Sequence, residues 1–275
     1  MASLFSPTLI RDLPTADALA RLREILSATG LRENCGTLSL RDVFEAAYDE
    51  LRNSYRCEYL YKNAIAAKIL MGRHSLRTAG ILTELQVDDC KLDLLMVNGQ
   101  TVAYEIKTEL DSPDRLFNQL ATYQRAFECV YVVTHERCAH RFARVLPRGV
   151  GLLQLTSLYT FRTVREADVD HSRLDPGVIF NLFRRTEYVS VIRKYFNLVP
   201  AVPNTKIYGE CRNLFLKLSI QDICSVLSDA LHERFRQALA LSHEDAEIAP
   251  HSLTLHVLSG NLARKQYAAL SGIVV

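Results

Sequence analysis

The stretch that decides the fold runs from Lys91 to Lys107. It reads Lys-Leu-Asp-Leu-Leu-Met-Val (91–97), Asn98-Gly99, then Gln-Thr-Val-Ala-Tyr-Glu-Ile-Lys (100–107). Two apolar runs separated by Asn-Gly are a strong β-hairpin signal. Charges interrupt it where buried strands should be apolar: Asp93 between Leu92 and Leu94, and Glu105 and Lys107 on either side of Ile106. Glu105 and Lys107 are two apart on one strand, so they point to one face. Burying such charges is costly unless they pair or hold a metal. Two carboxylates and a lysine around a hairpin suggest a hard-cation site of oxygen ligands.

The hairpin register tests that suggestion. A two-residue Asn98-Gly99 turn pairs Val97 with Gln100, sets Asp93 against Tyr104 and sends Glu105 to the opposite face. A three-residue loop or a bulge shifts the pairing by one and sets Asp93 against Glu105. Only the shifted arrangement, or a twisted and splayed strand end, lets both carboxylates hold one cation.

Around the hairpin, periodicity predicts further elements. Thr15 to Thr29 has helical spacing and stops at Gly30; Ser39 can cap a helix with Leu40, Val43, Phe44, Ala47, Tyr48 and Leu51 as its stripe; a third helical pattern covers about Arg56 to Met71. Ile81 to Val87 alternates imperfectly, as a strand would. After the hairpin come a helix over Pro113 to Phe127 opened by Ser112-Pro113, a strand at Val130 to Val133, a helix over His135 to Leu146 and a strand at Gly151 to Leu155. A hairpin followed by a βαβ crossover gives a mixed sheet with helices on its faces. Glu166 to Asp175 is polar, and Asp175-Pro176-Gly177 reads as a linker entering a helix. Val178 to Phe183, Glu187 to Phe196 and Ser219 to Ala240 look helical, the last opened by Ser219 and Asp222; Pro200 and Pro203 break the pattern. The expected fold class is α/β, a mixed sheet flanked by helices with helical N-terminal and C-terminal regions. The expected domains are residues 1–54, 55–170 and 171–275.

Composition sets outer limits. The chain has 275 residues, 33 Lys plus Arg against 31 Asp plus Glu, and 48% apolar residues. Mean hydropathy is zero. This is the balance of a globular chain able to bury a core, not of a disordered one. The net charge of +2 gives no global basic field for nucleic acid, though a local basic groove remains open. No apolar run is long enough to span a membrane, and Met1 to Leu13 lacks a basic region before an apolar one, so no secretory signal is expected. Seven cysteines without CxxC spacing argue against a disulfide framework or a zinc site. Cys129 and Cys224 read as buried small hydrophobes, and a reducing, cytoplasmic setting is expected. His251 and His256, five apart, read as surface or satisfied residues. No GxGxxG, P-loop or GxSxG motif occurs.

With these residues in hand, a resemblance can be stated. Asp93, then Glu105-Ile106-Lys107, followed by a helix and a strand, resembles the PD-(D/E)XK nuclease superfamily, over roughly residues 55 to 160. Glu58 lies on the helix before the first strand, where many members carry an acidic residue. Gln119 and Tyr123 resemble the QxxxY motif of the RecB-type branch, and Tyr55 to Thr134 resembles a poorly characterised bacterial group. Leu92 stands where the motif name has Pro. The resemblance implies a restriction-endonuclease-like sheet and a metal-dependent nuclease, an endonuclease rather than an exonuclease, acting on DNA. It hints at a bacterial genome-defence or mobile-element setting. Asp93, Glu105 and the Ile106 carbonyl would hold Mg²⁺ or Mn²⁺, with Glu58 on the same metal or a second one. Lys107 would orient water or stabilise developing charge. Gln119 and Tyr123 would contact phosphate or fix Lys107.

Plainer readings stand beside these. Asp93 and Lys107 could be a cross-strand ion pair, Glu105 could sit on an exposed strand end, and Glu58 could be a solvated helix residue. Arg184, Arg185, Arg193 and Lys194 give the later region a basic component: a solvated face, or phosphate contacts through Arg193 and Lys194. Two functions of other classes remain: a nuclease-like domain used for binding or interaction without cleavage, and a helical nucleic-acid-binding regulator with a structural sheet. A homodimer, and RNA in place of DNA, stay open.

Overall fold

A computed structural model describes residues 1–29, 38–54, 56–108, 111, 115–241 and 250–273. Gly30, Cys35 and the Ser112-Pro113 helix opening lie outside the described residues. The chain forms two units: Met1–Leu76 with Leu158–Thr160 and Phe235–Val275, and Arg77–Ser157 with Phe161–Arg234. The residue-170 boundary expected from composition falls inside the second unit, and the one at residue 54 inside the first.

The first unit is helical. Thr15 accepts from the Ala18 N–H at the start of Ala16–Ala28. Ser39 accepts from the Asp42 N–H and Asp42 accepts from the Ser39 N–H, a reciprocal cap for Leu40–Ser54. Glu58–Ala64 runs into a π-helical segment, Ile65–Leu70, and a last turn, Met71–Arg73. The Phe5 ring stacks on Tyr59 at 4.7 Å. Asn63 is fully buried and uses both ends of its amide. It donates to Tyr48 Oη at 2.8 Å and to the His251 carbonyl at 2.9 Å, and accepts from the Leu255 N–H at 2.8 Å. His256 is buried with its Nε2 3.0 Å from the Phe5 carbonyl, a satisfied histidine; burial pushes its pKa down to about 4.

The second unit holds the sheet. Its strands are β1 (Gly80–Val87), β2 (Cys90–Val97), β3 (Thr101–Lys107), β4 (Cys129–His135), β5 (Gly151–Leu155) and β6 (Phe161–Arg165), side by side in chain order. β1–β2, β2–β3 and β5–β6 are antiparallel; β3–β4 and β4–β5 are parallel. The helices Leu116–Gln124 and Glu136–Val145 lie in the two parallel connections. The mixed sheet flanked by helices, with helical N-terminal and C-terminal regions, is thus the observed fold class. β6 is an addition: its Phe-Arg-Thr-Val-Arg sequence is exposed or half-buried throughout and offers no apolar alternation to read.

The helices after residue 170 share the sheet's core. Leu95, Val97, Ala103 and Val132 belong to one buried cluster with Leu116, Leu120 and Tyr123, and the same cluster contains Phe180, Ile192, Phe215 and Leu227. Asp175 caps Pro176–Asn181 by accepting from the Gly177 and Val178 N–H groups at 2.8 and 3.3 Å. Ser219 and Asp222 open Ile220–Leu241 as their order predicts, the Ser219 hydroxyl accepting from the Asp222 N–H. Pro200 and Pro203 break the helical pattern as expected, both lying between Arg185–Phe196 and a further helix, Asn204–Phe215, that the sequence did not predict; Pro203 stands at its entry, where a φ of −55° suits the approach. The Phe180 ring packs against Tyr188, Tyr208 and Phe215 with centroids 5.1 to 5.2 Å apart.

Since Phe180 is fully buried in the core that sheet and helices share, Phe180→Ala should lower stability by about 3–5 kcal/mol. In urea unfolding, probes on β3 and on Ile220–Leu241 should move together. A shift confined to the helical probe would show that the helices form a core of their own.

Candidate metal centre

The hairpin settles its own register. Leu94 pairs with Tyr104, Leu95 with Ala103, Met96 with Val102 and Val97 with Thr101. The loop is therefore three residues, Asn98, Gly99 and Gln100, in place of the two that Asn-Gly signals. Gly99 has φ +67°, a left-handed conformation glycine adopts without cost, and the Asn98 N–H donates to the Gln100 carbonyl at 3.0 Å. Extending the ladder by one step sets Asp93 opposite Glu105, so the two carboxylates leave the same face.

The ladder itself stops at Leu94–Tyr104. Beyond it the Asp93 side chain takes over: its Oδ2 accepts from the Ile106 N–H at 2.7 Å. The N–H and C=O of one strand residue point to the same side, so the Ile106 carbonyl also faces Asp93's side, past the last pair of the β2–β3 ladder.

Glu105 is 2% exposed, which rules out the exposed-strand-end reading. Its Oε1 accepts from Lys107 Nζ at 2.7 Å, and Lys107 Nζ donates to Gln119 Oε1 at 3.0 Å. Lys107 therefore pairs along its own strand with Glu105, while Asp93 bonds a backbone amide. Glu105 Oε2 and the Tyr123 hydroxyl are both buried without a well-formed hydrogen bond. Burial raises the Glu105 carboxyl above the usual carboxylate range, with Lys107 pulling the other way. Burial, then the charges of Glu105 and Asp93, pushes the Tyr123 hydroxyl well up. Glu105 Oε2 and the Tyr123 hydroxyl influence each other without a well-aligned bond, and two carboxylates on one face with a backbone carbonyl are donor types suited to a small oxygen-loving cation, so the residue types fit Mg²⁺ or Mn²⁺.

The remaining expected residues sit on helices. Gln119 and Tyr123 lie on Leu116–Gln124, the helix whose Leu116 and Leu120 share a core with β2 and β3. Gln119 holds Lys107. Glu58 belongs to the first unit, at the first position of its helix, where the helix dipole favours a carboxylate. Its Oε1 lies 2.5 Å from the ammonium of Lys62, which is buried. Arg193 and Lys194 are exposed on Arg185–Phe196, whose Tyr188, Val191 and Ile192 are buried; Tyr195 is half-buried. Of the six described cysteines, all free thiols, Cys129 is buried and Cys224 only partly so.

One acidic residue escaped the reading of the sequence. Glu84 on β1 stands between the Thr83–Leu94 and Leu85–Leu92 pairs, opposite Asp93, with φ +58°. Carboxylate oxygens of Glu84 and Asp93 lie within 4.8 Å of each other, and Glu84 also pairs with Lys91. A left-handed residue other than glycine costs roughly 1–2 kcal/mol. The only trace in the sequence is the imperfect alternation of Ile81 to Val87. Glu84, Asp93 and Glu105 thus form a row across three neighbouring strands.

A carboxyl whose folded pKa lies above its unfolded one keeps its proton in the folded chain after the unfolded chain has released it. Glu105's contribution to stability therefore falls as pH rises from the ordinary carboxylate range through its raised value. Glu105→Gln removes that dependence and leaves Lys107 its bond to Gln119. The variant should match or exceed the wild-type thermal midpoint at neutral pH, and the difference should shrink as pH falls into the carboxylate range. Loss of stability at neutral pH on the scale of a core deletion would contradict this.

The cluster can be set beside known proteins. The SPO1766 protein of unknown function from Silicibacter pomeroyi aligns with 46% of this chain and 87% of its own, at 15% identity and a TM-score of 0.31. Protein cII of Enterobacteria phage P4 is 24% identical over 208 residues, 72% of this chain and 73% of that protein. The profile of the family described as Bacteriophage P4 protein cII matches residues 51–256, a span that takes in the whole sheet and the residues of the candidate centre. On the extent of that match, this chain belongs to the Bacteriophage P4 protein cII family.

Proposed function

We propose that this chain is a metal-dependent nuclease that cleaves phosphodiester bonds of DNA, as an endonuclease. The observation that carries the reading is the hairpin register: continued by one step past Leu94–Tyr104, it sets Asp93 and Glu105 on one face, where Glu105 is buried. The resemblance of Asp93 and Glu105-Ile106-Lys107 to the PD-(D/E)XK motif supports it, and so do Gln119 and Tyr123 on the following helix. The phage origin of the P4 relative accords with a mobile-element setting.

In this reading Asp93, Glu105 and the Ile106 carbonyl hold Mg²⁺ or Mn²⁺. When bound, the cation polarises the phosphate and lowers the pKa of a water molecule. The chain's own groups do the rest. Glu105 can offer Oε2 while Oε1 keeps Lys107 in place. Lys107, steadied by Gln119, presents its ammonium to the negative charge that develops on the phosphate. Arg193 and Lys194, exposed on one helix, contact phosphates and position the strand without reading its sequence.

Supercoiled, linear and single-stranded DNA incubated with Mg²⁺, Mn²⁺ or EDTA decide the matter. Cleavage should require the metal, and nicking of the supercoiled form marks an endonuclease. Asp93→Ala and Glu105→Ala should each reduce the rate by more than about tenfold, because the charge stabilisation they supply is worth several kcal/mol. Retention of a larger rate by either variant sinks the assignment. Metal binding without any cleavage would identify the catalytically silent binding module instead.

Charge reversal at Arg193 and Lys194 should weaken DNA binding at low salt, flatten its salt dependence and raise KM more than it lowers kcat. Unchanged binding and an unchanged salt slope would make the helix a docking or dimerisation surface.

A further inference from the structure

We propose that Glu128, His171 and Cys224 form a zinc-binding site. These residues come from separate parts of the second unit. Glu128 immediately precedes β4, His171 opens a 3-10 turn in the connection after β6, and Cys224 lies in the first turns of Ile220–Leu241. One ligand-capable atom of each lies within 4.8 Å of the other two. His171 Nε2 is 3.1 Å from Glu128 Oε1.

The donor types select the metal. A thiolate, an imidazole and a carboxylate together suit zinc, whereas Mg²⁺ and Ca²⁺ take oxygen ligands. With metal–ligand distances of about 2.0–2.3 Å, the ligands of a tetrahedral zinc stand about 3–4 Å apart. The three side chains are therefore within a small adjustment of that geometry.

Glu128 is also held as a metal-bound carboxylate would be. Its Oε2 accepts from the Thr101 N–H at 2.8 Å and from the Thr101 hydroxyl at 3.1 Å, which fixes the carboxylate and leaves Oε1 on the side of His171. Such outer partners orient a ligand before the ion arrives. The side chain of His171 is 39% exposed, so an ion can enter from solvent. Three protein ligands leave one position of a tetrahedral zinc to water. The site is distinct in chemistry from the all-oxygen group at Asp93 and Glu105 and does not depend on that reading. Bound zinc would tie the start of β4, the connection after β6 and the long helix to one point.

The alternative is that Cys224 is an apolar filler and that His171 and Glu128 share no more than a hydrogen bond. Cobalt distinguishes the two. Metal-free full-length chain titrated with Co²⁺ should develop a thiolate-to-cobalt charge-transfer band and tetrahedral visible bands, both bleached by one equivalent of Zn²⁺. Cys224→Ser should abolish the charge-transfer band, although other thiols remain. His171→Gln, at a part-exposed side chain that does not endanger folding, should weaken metal binding at least about tenfold. Zinc should raise the thermal midpoint of the wild type and leave that of His171→Gln unchanged. A wild-type cobalt spectrum without a thiolate band, an unaltered band in Cys224→Ser, or an unaltered affinity in His171→Gln would each overturn the proposal.

Discussion

Side chains alternate along a strand, so the length of the loop between β2 and β3 decides which residues share a face. The third residue of that loop, Gln100, moves the ladder sum by one and brings Asp93 opposite Glu105. Everything at the candidate centre follows from this. Glu105 and Lys107 enter the space under Leu116–Gln124, Lys107 meets Gln119, and Asp93 is left to satisfy the Ile106 amide where the ladder ends. The apolar neighbours obey the same rule: Leu95 and Ala103, and Val97 and Thr101, are opposite pairs on the face that the helix covers.

The price of that arrangement is a buried carboxylate whose second oxygen has no well-aligned hydrogen bond. In a fold selected only for stability, an apolar residue at position 105 would remove both the desolvation cost and the need for Lys107. Two strands away, β1 adds a second local cost, the left-handed backbone of Glu84. Two unfavourable local choices, on the strands either side of β2, mark this part of the unit as shaped by something other than packing.

Much of the architecture was legible because periodicity is a direct imprint of burial. β2, β3, β4 and β5, the helices beside them and the helix caps at Ser39, Asp175 and Ser219 all carry their own local signals. The turn signal alone misreads the register, since Asn98-Gly99 favours a two-residue turn; the charges at Asp93 and Glu105 were what called for the three-residue loop that is observed. β6 was missed because an edge strand with little burial has no pattern to show. Asn204–Phe215 was missed after Pro200 and Pro203, which break the pattern before it and, at Pro203, also open it. The pairing of residues near Tyr59 with residues near Ser252 is set by tertiary contact alone and leaves no trace in either segment. At the candidate centre, Asp93, Glu105 and Lys107 were visible as charges in apolar strands. Glu84 was not, because a glutamate in a half-exposed strand is ordinary.

The strict chain order of the six strands also bears on how the protein comes into being. Each strand joins the one made just before it, so each pairing closes a loop no longer than one helix and its connections, at modest entropic cost. The sheet has all its strands once synthesis reaches Arg165. The first unit is built the opposite way: the Phe5 carbonyl waits for His256, and the Tyr59 hydroxyl for the Ser252 carbonyl. On the ribosome, these two bonds can therefore form only after every strand of the sheet has been made.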